Sequence, residues 1–382
     1  MKETLTQIIF PIAGGFGLFL FGMKFMTDSF QKMAGNRLKA MLHRLASNRF
    51  VGLFSGLTVT ALIQSSSATT VMLVGFVNAG LMNLTQSIGV ILGADIGTTI
   101  TAQIIAFKIN SAALPVLGIG ALMAIFGKRE NIVFLGEALF GFGSLFFGIT
   151  LMGDAFALLQ GYDAIANGFA FFAQNPLLGV LAGAAFTAVV QSSSLTTGIT
   201  IALAQGGLIT FAEAVPLIIG QNIGTTITAN IAAIGGSRAA KATARAHFLI
   251  KLLGSGIGLV LLRPYIGAVS ALTTDLSRQI AHFHTLFNVV NSLLFLPFVG
   301  YIACLSQILV FTKRTEEELF YLEESALTVP AEAVDRTKRA LVETLGLAVH
   351  MLSSAHTMVV QGEDGGRGVA LASEWRFDQR GL

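Results

Sequence analysis

Long apolar stretches, interrupted by short polar ones, run along the chain from about residue 8 to residue 311. The stretches are continuous rather than alternating at every second residue, and glycine is abundant, which favours packed α-helices over a β-barrel. Most of them are long enough for a helix of about 20 residues, the length that crosses a lipid bilayer. The pattern predicts an all-α integral membrane protein with spans near residues 8–30, 86–107, 112–127, 134–158, 213–234, 246–263 and 283–311.

Two polar segments break the apolar pattern, and their sequences are nearly the same. Gln64–Thr70 reads Gln-Ser-Ser-Ser-Ala-Thr-Thr, and Gln191–Thr197 reads Gln-Ser-Ser-Ser-Leu-Thr-Thr, 127 positions later. A second motif, Gly-Thr-Thr-Ile-Thr-Ala, follows each segment at the same distance, at Gly97–Ala102 and Gly224–Ala229. Around these motifs, 20 of 48 aligned positions are identical without a gap. Such a duplicated polar break indicates the central binding site of a transporter.

The duplication extends to the start of each half. A Phe-Gly pattern in the first span returns in the span at 134–158, so one repeat covers about residues 8–127 and the other about residues 134–263. The last span, about residues 283–311, lies outside the repeat. Together these segments form a predicted transmembrane transport domain over residues 1–311.

Each polar segment is predicted to interrupt a broken helical hairpin, near residues 50–82 and 176–208, because Ser-Ser-Ser is a poor sequence for mid-span helix. If both hairpins are re-entrant, each half crosses the membrane three times. An odd number of crossings places the second repeat in inverted topology relative to the first.

The distribution of lysine and arginine supports this topology. With the N-terminus outside, twelve basic residues fall on the cytoplasmic side and four on the outer side, as the positive-inside rule requires. The cytoplasmic set is Lys32, Arg37, Lys39, Arg44, Arg49, Lys128, Arg129, Arg238, Lys241, Arg245, Lys313 and Arg314, and the outer set is Lys2, Lys108, Arg263 and Arg278. A multi-pass protein of the cell (inner) membrane with a cytoplasmic C-terminus is therefore predicted.

Composition agrees with a lipid environment and narrows the function classes. Hydrophobic residues make up 53% of the 382 residues and charged residues only 12%, against about 25% charged in soluble domains. The net charge of +3 follows from the cytoplasmic basic residues, so no nucleic-acid partner is expected. Oligomerisation is left open. Residues 312–382 are more charged, with apolar residues at helical spacing, and are predicted to form a short cytoplasmic helical tail.

The repeated segments supply the chemistry of a small-anion site. Serines at the start of a helix present hydroxyl groups beside free backbone N–H groups, and two such tips facing each other would surround an anion. The glutamines add amide donors. The predicted anion ligands are Gln64, Ser65, Ser66, Ser67, Gln191, Ser192, Ser193 and Ser194.

Oxygen ligands for Na⁺ accompany the anion site. Threonine hydroxyls, side-chain carbonyls and carboxylates suit a hard cation, and glycine in the Gly-Thr-Thr motif permits an unwound turn. The predicted sodium ligands are Thr69, Thr70, Asp95, Thr98, Thr99, Thr196, Thr197, Asn222, Thr225 and Thr226. The alternative is that glycine and threonine serve only close helix packing.

Asp95 is the residue that distinguishes the two copies, since Asn222 occupies the equivalent position. A carboxylate at membrane depth is usually functional, and we expect it to add negative charge to a cation site. The alternative is a hydrogen-bonded carboxylate without a transport role. Lys251 is expected either to snorkel or to pair with a carboxylate, without a role in the site. The scattered histidines and the single cysteine argue against a transition-metal site.

At this point the sequence resembles the type II sodium–phosphate cotransporter family. The resemblance lies in the two Gln-Ser-Ser-Ser segments, each followed by a Gly-x-[Asn/Asp]-Ile-Gly-Thr-Thr segment, and it covers about residues 8–311. It implies sodium-coupled symport of inorganic phosphate by alternating access, with phosphate held by the two Gln-Ser-Ser-Ser tips and Na⁺ as the coupling ion. It also implies that the tail begins a truncated PhoU-like helical region. Asp95 departs from the asparagine that the family pattern has in the first copy.

Three alternatives agree less well with the sequence than symport does. A channel, or a transporter for another small oxyanion, would also need a polar lining, but duplicated tips fit alternating access better. An intramembrane serine hydrolase is disfavoured because no nucleophile elbow or suitable His/Asp set accompanies the serines. No nucleotide-binding loop is present, so ATP hydrolysis is not expected. The chain is predicted not to be an enzyme and to need no organic cofactor.

Overall fold

A computed structural model describes residues 2–34, 48–107, 112–162 and 175–310, with scattered helical positions between 334 and 353. Two compact units are distinguished, Met1–Val310 and Phe311–Leu382. Every regular element in these described ranges is helical. The tail predicted at 312–382 lies largely outside the described residues.

The first unit contains fourteen α-helices in its described residues. The first half contributes α1 (Lys2–Ala34), α2 (Arg49–Ile63), α3 (Ser66–Asn78), α4 (Leu84–Ile105) and α5 (Ala113–Phe126). The second half contributes α6 (Glu130–Leu159), α7 (Pro176–Val190), α8 (Ser193–Gln205), α9 (Phe211–Gly224), α10 (Ile227–Ala232) and α11 (Arg238–Val260). They are followed by α12 (Leu262–Leu272), α13 (Leu276–Phe295), a 3-10 turn at Leu296–Phe298 and α14 (Val299–Ile308).

Four stretches among the described residues are long and apolar enough to cross a membrane, and they correspond to four predicted spans. They are Thr6–Met33, Leu84–Ile105, Glu130–Leu159 and Leu276–Ile308. A fifth candidate is the pair α11 and α12, which bends by 77° at its break. The helical content and these apolar stretches confirm the predicted all-α membrane protein.

Two predicted spans differ from the helices that the structure shows. The span at 112–127 corresponds to α5, whose 14 residues extend about 21 Å and fall short of a bilayer core of about 30 Å. The span at 213–234 is interrupted between α9 and α10. There the Thr226 amide bonds to the Ile223 carbonyl three residues back, and the Thr226 hydroxyl donates to the same carbonyl at 2.8 Å. This tighter turn breaks the regular helical ladder.

Helix starts are repeated between the halves along with the motifs. Asn48 caps α2 and Asn175 caps α7, each through its side-chain oxygen. A capping box starts α4 at Asn83 and another starts α9 at Thr210. Each cap satisfies backbone N–H groups that a helix start leaves without partners. The same sequence signals therefore set the same element boundaries twice.

Glycines bring α2 against α4, and α7 against α9, at backbone distance. A side chain at Gly93 would overlap the carbonyl of Leu53, and a side chain at the equivalent Gly220 would overlap the carbonyl of Val180. These close contacts fix each Gly-Thr-Thr helix beside the first helix of its own hairpin. The long helices α1 and α6 pack along each other.

Candidate substrate and ion site

The first Gln-Ser-Ser-Ser segment forms the tip between α2 and α3. Helix α2 ends where Gln64 adopts a left-handed backbone with φ of 59°, and Ser65 is extended before α3 begins. Across this tip the Thr60 hydroxyl donates to the Thr69 hydroxyl oxygen at 2.9 Å. Residues nine apart in a straight helix would be about 13 Å apart, so the chain folds back at Gln64-Ser65.

The second tip, between α7 and α8, repeats this conformation. Gln191 has the same φ of 59°, and the hydroxyls of Thr187 and Thr196 lie 2.9 Å apart. Among the described residues, Gln64 and Gln191 are the only non-glycine residues with positive φ. A left-handed residue with a side chain costs about 1–2 kcal/mol, and such strain concentrates at functional sites.

Both tips present unpaired hydrogen-bond donors at the start of a helix. Ser65 Oγ accepts from the Ala68 amide at 3.2 Å, and Ser192 Oγ accepts from the Leu195 amide at 3.4 Å. The amides of the next two serines in each tip have no acceptor among the described groups. The hydroxyls of Ser66, Ser193 and Ser194 likewise make no hydrogen bond with any described group. Free amides and hydroxyls at a helix N-terminus suit an anion.

The two tips meet through Ser67. Its hydroxyl donates to the Gln191 carbonyl at 3.4 Å and lies 3.5 Å from the Thr225 hydroxyl oxygen. The structure therefore brings the first Gln-Ser-Ser-Ser segment against the second and against the second Gly-Thr-Thr motif. The equivalent contacts of Ser194 with the first half are not made.

The glutamines of the two tips lie in different environments. Gln64 is buried. Its side-chain Oε1 accepts from the Thr101 hydroxyl at 2.7 Å, and its side-chain Nε2 donates to the Ala61 backbone carbonyl. Gln191 is exposed. Thr228, the counterpart of Thr101, has a buried hydroxyl without a partner in the described structure.

The predicted threonine ligands keep oxygen lone pairs available. Thr70, Thr98, Thr99 and Thr226 each donate to a backbone carbonyl three or four residues back in the chain, at 2.7–3.0 Å. A hydroxyl that donates in this way can still accept or bind a cation. The residues present therefore fit a hard monovalent cation.

The first Gly-Thr-Thr motif lies within the continuous helix α4, so the expected unwound turn at Gly97 is wrong. The interruption occurs only in the second copy, at Thr225-Thr226. The second copy also contains Gln221, which sequence reasoning missed. Gln221 accepts from the Thr197 hydroxyl at 2.9 Å and donates to the Thr200 hydroxyl at 2.8 Å.

Asp95 and Asn222 both contact the ammonium group of Lys251. Lys251 Nζ lies 2.9 Å from Asp95 Oδ1, 2.9 Å from Asn222 Oδ1 and 2.8 Å from Asn288 Oδ1. All four side chains are buried. Of the two fates expected for Lys251, pairing with a carboxylate is confirmed and snorkelling is not. Lys251 thus contacts two of the predicted sodium ligands, Asp95 and Asn222.

Two buried histidines lie on the helices that supply Lys251 and Asn288. His247 Nε2 lies 3.4 Å from Asp95 Oδ1 without the geometry of a hydrogen bond, and His284 is buried with an unpartnered Nδ1. Helices α4, α9, α11 and α13 supply the cluster, which is why the sequence alone did not reveal Asn288. The sequence feature that could have pointed to the cluster was Lys251, a lysine inside an apolar helix. No group of three or more His, Cys, Asp or Glu side chains suited to a metal occurs among the described residues.

A sequence comparison assigns the duplicated chain to a family. The model of the family described as Na⁺/Pi-cotransporter matches it twice, over residues 18–154 and over residues 159–305. The chain belongs to the Na⁺/Pi-cotransporter family. The resemblance carried by the two Gln-Ser-Ser-Ser segments is thereby confirmed, and so is the prediction that the chain is a multi-pass membrane protein of the phosphate-transporter class and not an enzyme.

Relatives within the Na⁺/Pi-cotransporter family carry different names. YqeW of Bacillus subtilis, an uncharacterised protein, is 34% identical over 77% of this chain and 96% of its own length. YjbB of Escherichia coli K12, whose name refers to inorganic phosphate export, is 28% identical over 94% of this chain and 66% of its own length. The human sodium-dependent phosphate transport protein 2B is 36% identical over 26% of this chain and 15% of its own length. No solved structure gives a match.

Proposed function

We propose that this protein is a symporter that couples the movement of inorganic phosphate to Na⁺ by alternating access. The observation that carries the proposal is the meeting of two identical Gln-Ser-Ser-Ser tips, each with unpaired amide and hydroxyl donors, in a Na⁺/Pi-cotransporter family member. Phosphate is bound between the tips by Gln64, Ser65, Ser66, Ser67, Gln191, Ser192, Ser193 and Ser194.

Neutral donors alone compensate poorly for the desolvation of phosphate. Neither tip contains lysine or arginine, and an ionised group buried without opposite charge is strongly disfavoured. Bound Na⁺ therefore supplies part of the compensation, and phosphate and Na⁺ increase each other's affinity. The proposed sodium ligands are the oxygens of Thr69, Thr70, Thr98, Thr99, Thr196, Thr197, Thr225 and Thr226, with Asp95 and Asn222 beside them.

Re-entrant hairpins and inverted repeats are part of the proposal. Helices α2 and α3 contain 15 and 13 residues, and the turn at Gln64-Ser65 separates them. The chain folds back between them, which supports entry and exit on one side. We take α1, α4 and α5 as the three crossings of the first repeat, with the bilayer thinned locally around the 14 residues of α5. Three crossings per repeat would then invert the second repeat, with the N-terminus outside and the C-terminal tail in the cytoplasm.

The unequal glutamines support alternating access. The Gln64–Thr101 bond closes the first tip, whereas Gln191 is exposed and Thr228 has no partner. Exchange between two states would reverse this arrangement, breaking Gln64–Thr101 and forming Gln191–Thr228. Such a change moves access to phosphate from one membrane side to the other. The direction of net transport follows from the ion and phosphate gradients.

Radiolabelled phosphate uptake into proteoliposomes tests the proposal. We expect uptake that saturates with phosphate, requires a Na⁺ gradient and is not supported by K⁺ or proton gradients. Gln64→Ala and Gln191→Ala should each abolish most of the uptake. Gln307→Ala, a change at an exposed position of α14, is the matched control and should leave it intact.

Three results would contradict symport and its site. Uptake that does not saturate would indicate a channel. Preference for another oxyanion over phosphate would overturn the substrate assignment. Equal phosphate affinity with and without Na⁺ would exclude the proposed mutual dependence.

A further inference from the structure

The ammonium group of Lys251 has all three of its N–H donors matched. Its acceptors are the side-chain oxygens of Asp95, Asn222 and Asn288, at 2.8–2.9 Å. The Lys251 side chain is 5% exposed. A lysine ammonium has three donors and no acceptor, so this environment fully replaces its hydration.

Two of these three acceptors are equivalent residues of the two repeats. Asp95 in α4 and Asn222 in α9 are 127 positions apart, and each turns its Oδ1 toward the same nitrogen. Lys251 has no such counterpart, because α5, which takes the place of α11 in the first repeat, contains no charged residue. A single cation thus lies between matching oxygens of both repeats.

The cluster has the ligand chemistry of a monovalent cation site. Carboxylate and amide oxygens are the ligands that hard cations take. The Asp95 carboxylate supplies one negative charge, and the ammonium supplies one positive charge at the place where Na⁺ would supply it. While Lys251 makes these contacts, the three oxygens are already occupied.

We propose that Lys251 is a built-in cation that takes the place of one coupling Na⁺ between the two repeats. The inference rests on the proposed sodium–phosphate symport and specifies its ion requirement. Asp95 then balances Lys251 instead of binding Na⁺, and the protein moves fewer sodium ions per phosphate than a site without the lysine would.

The cluster lies next to the Gly-Thr-Thr motifs along the chain. Asp95 and Asn222 each precede a Gly-Thr-Thr motif by two residues, a rise of about 3 Å along a helix. Fewer coupling ions also weaken the driving force for phosphate uptake. Phosphate efflux then needs a smaller outward phosphate gradient.

Removal of the lysine should create a sodium site. In Lys251→Met the carboxylate of Asp95 loses its partner, and Na⁺ can bind to the oxygens of Asp95, Asn222 and Asn288. We expect purified Lys251→Met to show a larger rise in melting temperature in Na⁺ than in K⁺ or choline, beyond any rise of the wild type. This binding readout does not require transport.

Three further variants make the result decisive. Lys251→Gln, whose amide can still donate to Asp95, should show the same added Na⁺ response. Lys251→Met/Asp95→Asn, which lacks both charges, should lose it. Lys128→Met, at an exposed position, should behave as the wild type. An unchanged Na⁺ response in both single Lys251 variants, or failure of both to fold in Na⁺, would overturn the proposal.

Transport measurements separate this inference from the proposed function. Lys251→Met or Lys251→Gln should move one more Na⁺ per phosphate, seen as a steeper dependence of uptake on Na⁺ and additional charge movement. An unchanged Na⁺ stoichiometry in active variants would also overturn the inference. If the wild type moves no phosphate, the symport assignment fails while the Na⁺ stabilisation assay still decides the role of Lys251.

Discussion

The two Gln-Ser-Ser-Ser tips share a backbone and differ in their side-chain contacts. Gln64 and Gln191 have the same left-handed φ of 59°, and a threonine pair joins each tip at 2.9 Å. Yet Gln64 is buried on Thr101, whereas Gln191 is exposed and Thr228 has no partner. Identical local sequence therefore fixes the tip conformation, while the surrounding helices fix what the tip binds.

The helices that carry the Gly-Thr-Thr motifs also share their local sequence and differ in structure. Helix α4 runs unbroken through its motif, whereas the second copy breaks between α9 and α10. Two positions before each motif, the first copy carries the carboxylate of Asp95 and the second the amide of Asn222. A duplicated scaffold can thus hold one charge and one helix break without a symmetric partner for either.

The largest expected effect tests the charge difference between the repeats. Asp95→Ala leaves the Lys251 ammonium buried and unpaired, which should lower the free energy of unfolding by about 3–5 kcal/mol. Asn222→Ala removes only a neutral acceptor and should cost about 1–3 kcal/mol. Thermal melting of the purified variants compares the two losses.

The Asp95 prediction has an internal control. Lys251→Met combined with Asp95→Ala removes the stranded charge and should recover most of the stability lost in Asp95→Ala. Equal losses in Asp95→Ala and Asn222→Ala would show that the ion pair is not what distinguishes the repeats.

Much of the fold could be predicted from the sequence because its signals are local. Apolar length located the spans at Thr6–Met33 and Glu130–Leu159, and Ser-Ser-Ser located both tips. The break at Thr225-Thr226 could not be predicted, because the first copy has the same glycine and threonines within an intact helix. Tertiary packing decides whether the motif lies in a continuous helix or interrupts one.

The candidate site was predictable only in part. The repeated glutamines, serines and threonines were recognisable because they break an apolar pattern. The pairing of Lys251 with Asp95 in particular, and the contribution of Asn288, were not recognisable, because Lys251 and Asn288 lie more than 150 positions beyond Asp95 on helices outside the motifs. An ion pair between distant spans leaves no spacing rule for sequence reasoning to use.

A smaller effect should be the same in both repeats. Gly93→Ala and Gly220→Ala each add a methyl group that overlaps a backbone carbonyl, of Leu53 and of Val180. Overpacking of this kind costs about 1–3 kcal/mol, so both variants should melt at lower temperature by similar amounts. Gly256→Ala, where an added methyl meets nothing within 4 Å, is the control. A large loss in only one of the two would mean that the hairpins are not packed alike.

The smallest expected change in stability distinguishes the two Gln-Ser-Ser-Ser tips. Thr101→Val removes the hydroxyl that donates to Gln64 and should cost about 0.5–1.5 kcal/mol, with Gln64 becoming more exposed. Thr228→Val removes a buried hydroxyl that has no partner in the described structure, so it should leave the stability of this state unchanged or raise it. Melting temperatures measure the difference.

Phosphate uptake adds a second test, because both variants should slow transport if Thr228 binds Gln191 in the opposite state. Normal uptake in Thr228→Val would show that the two tips do not exchange roles, and the difference between them would then be a permanent feature of the fold.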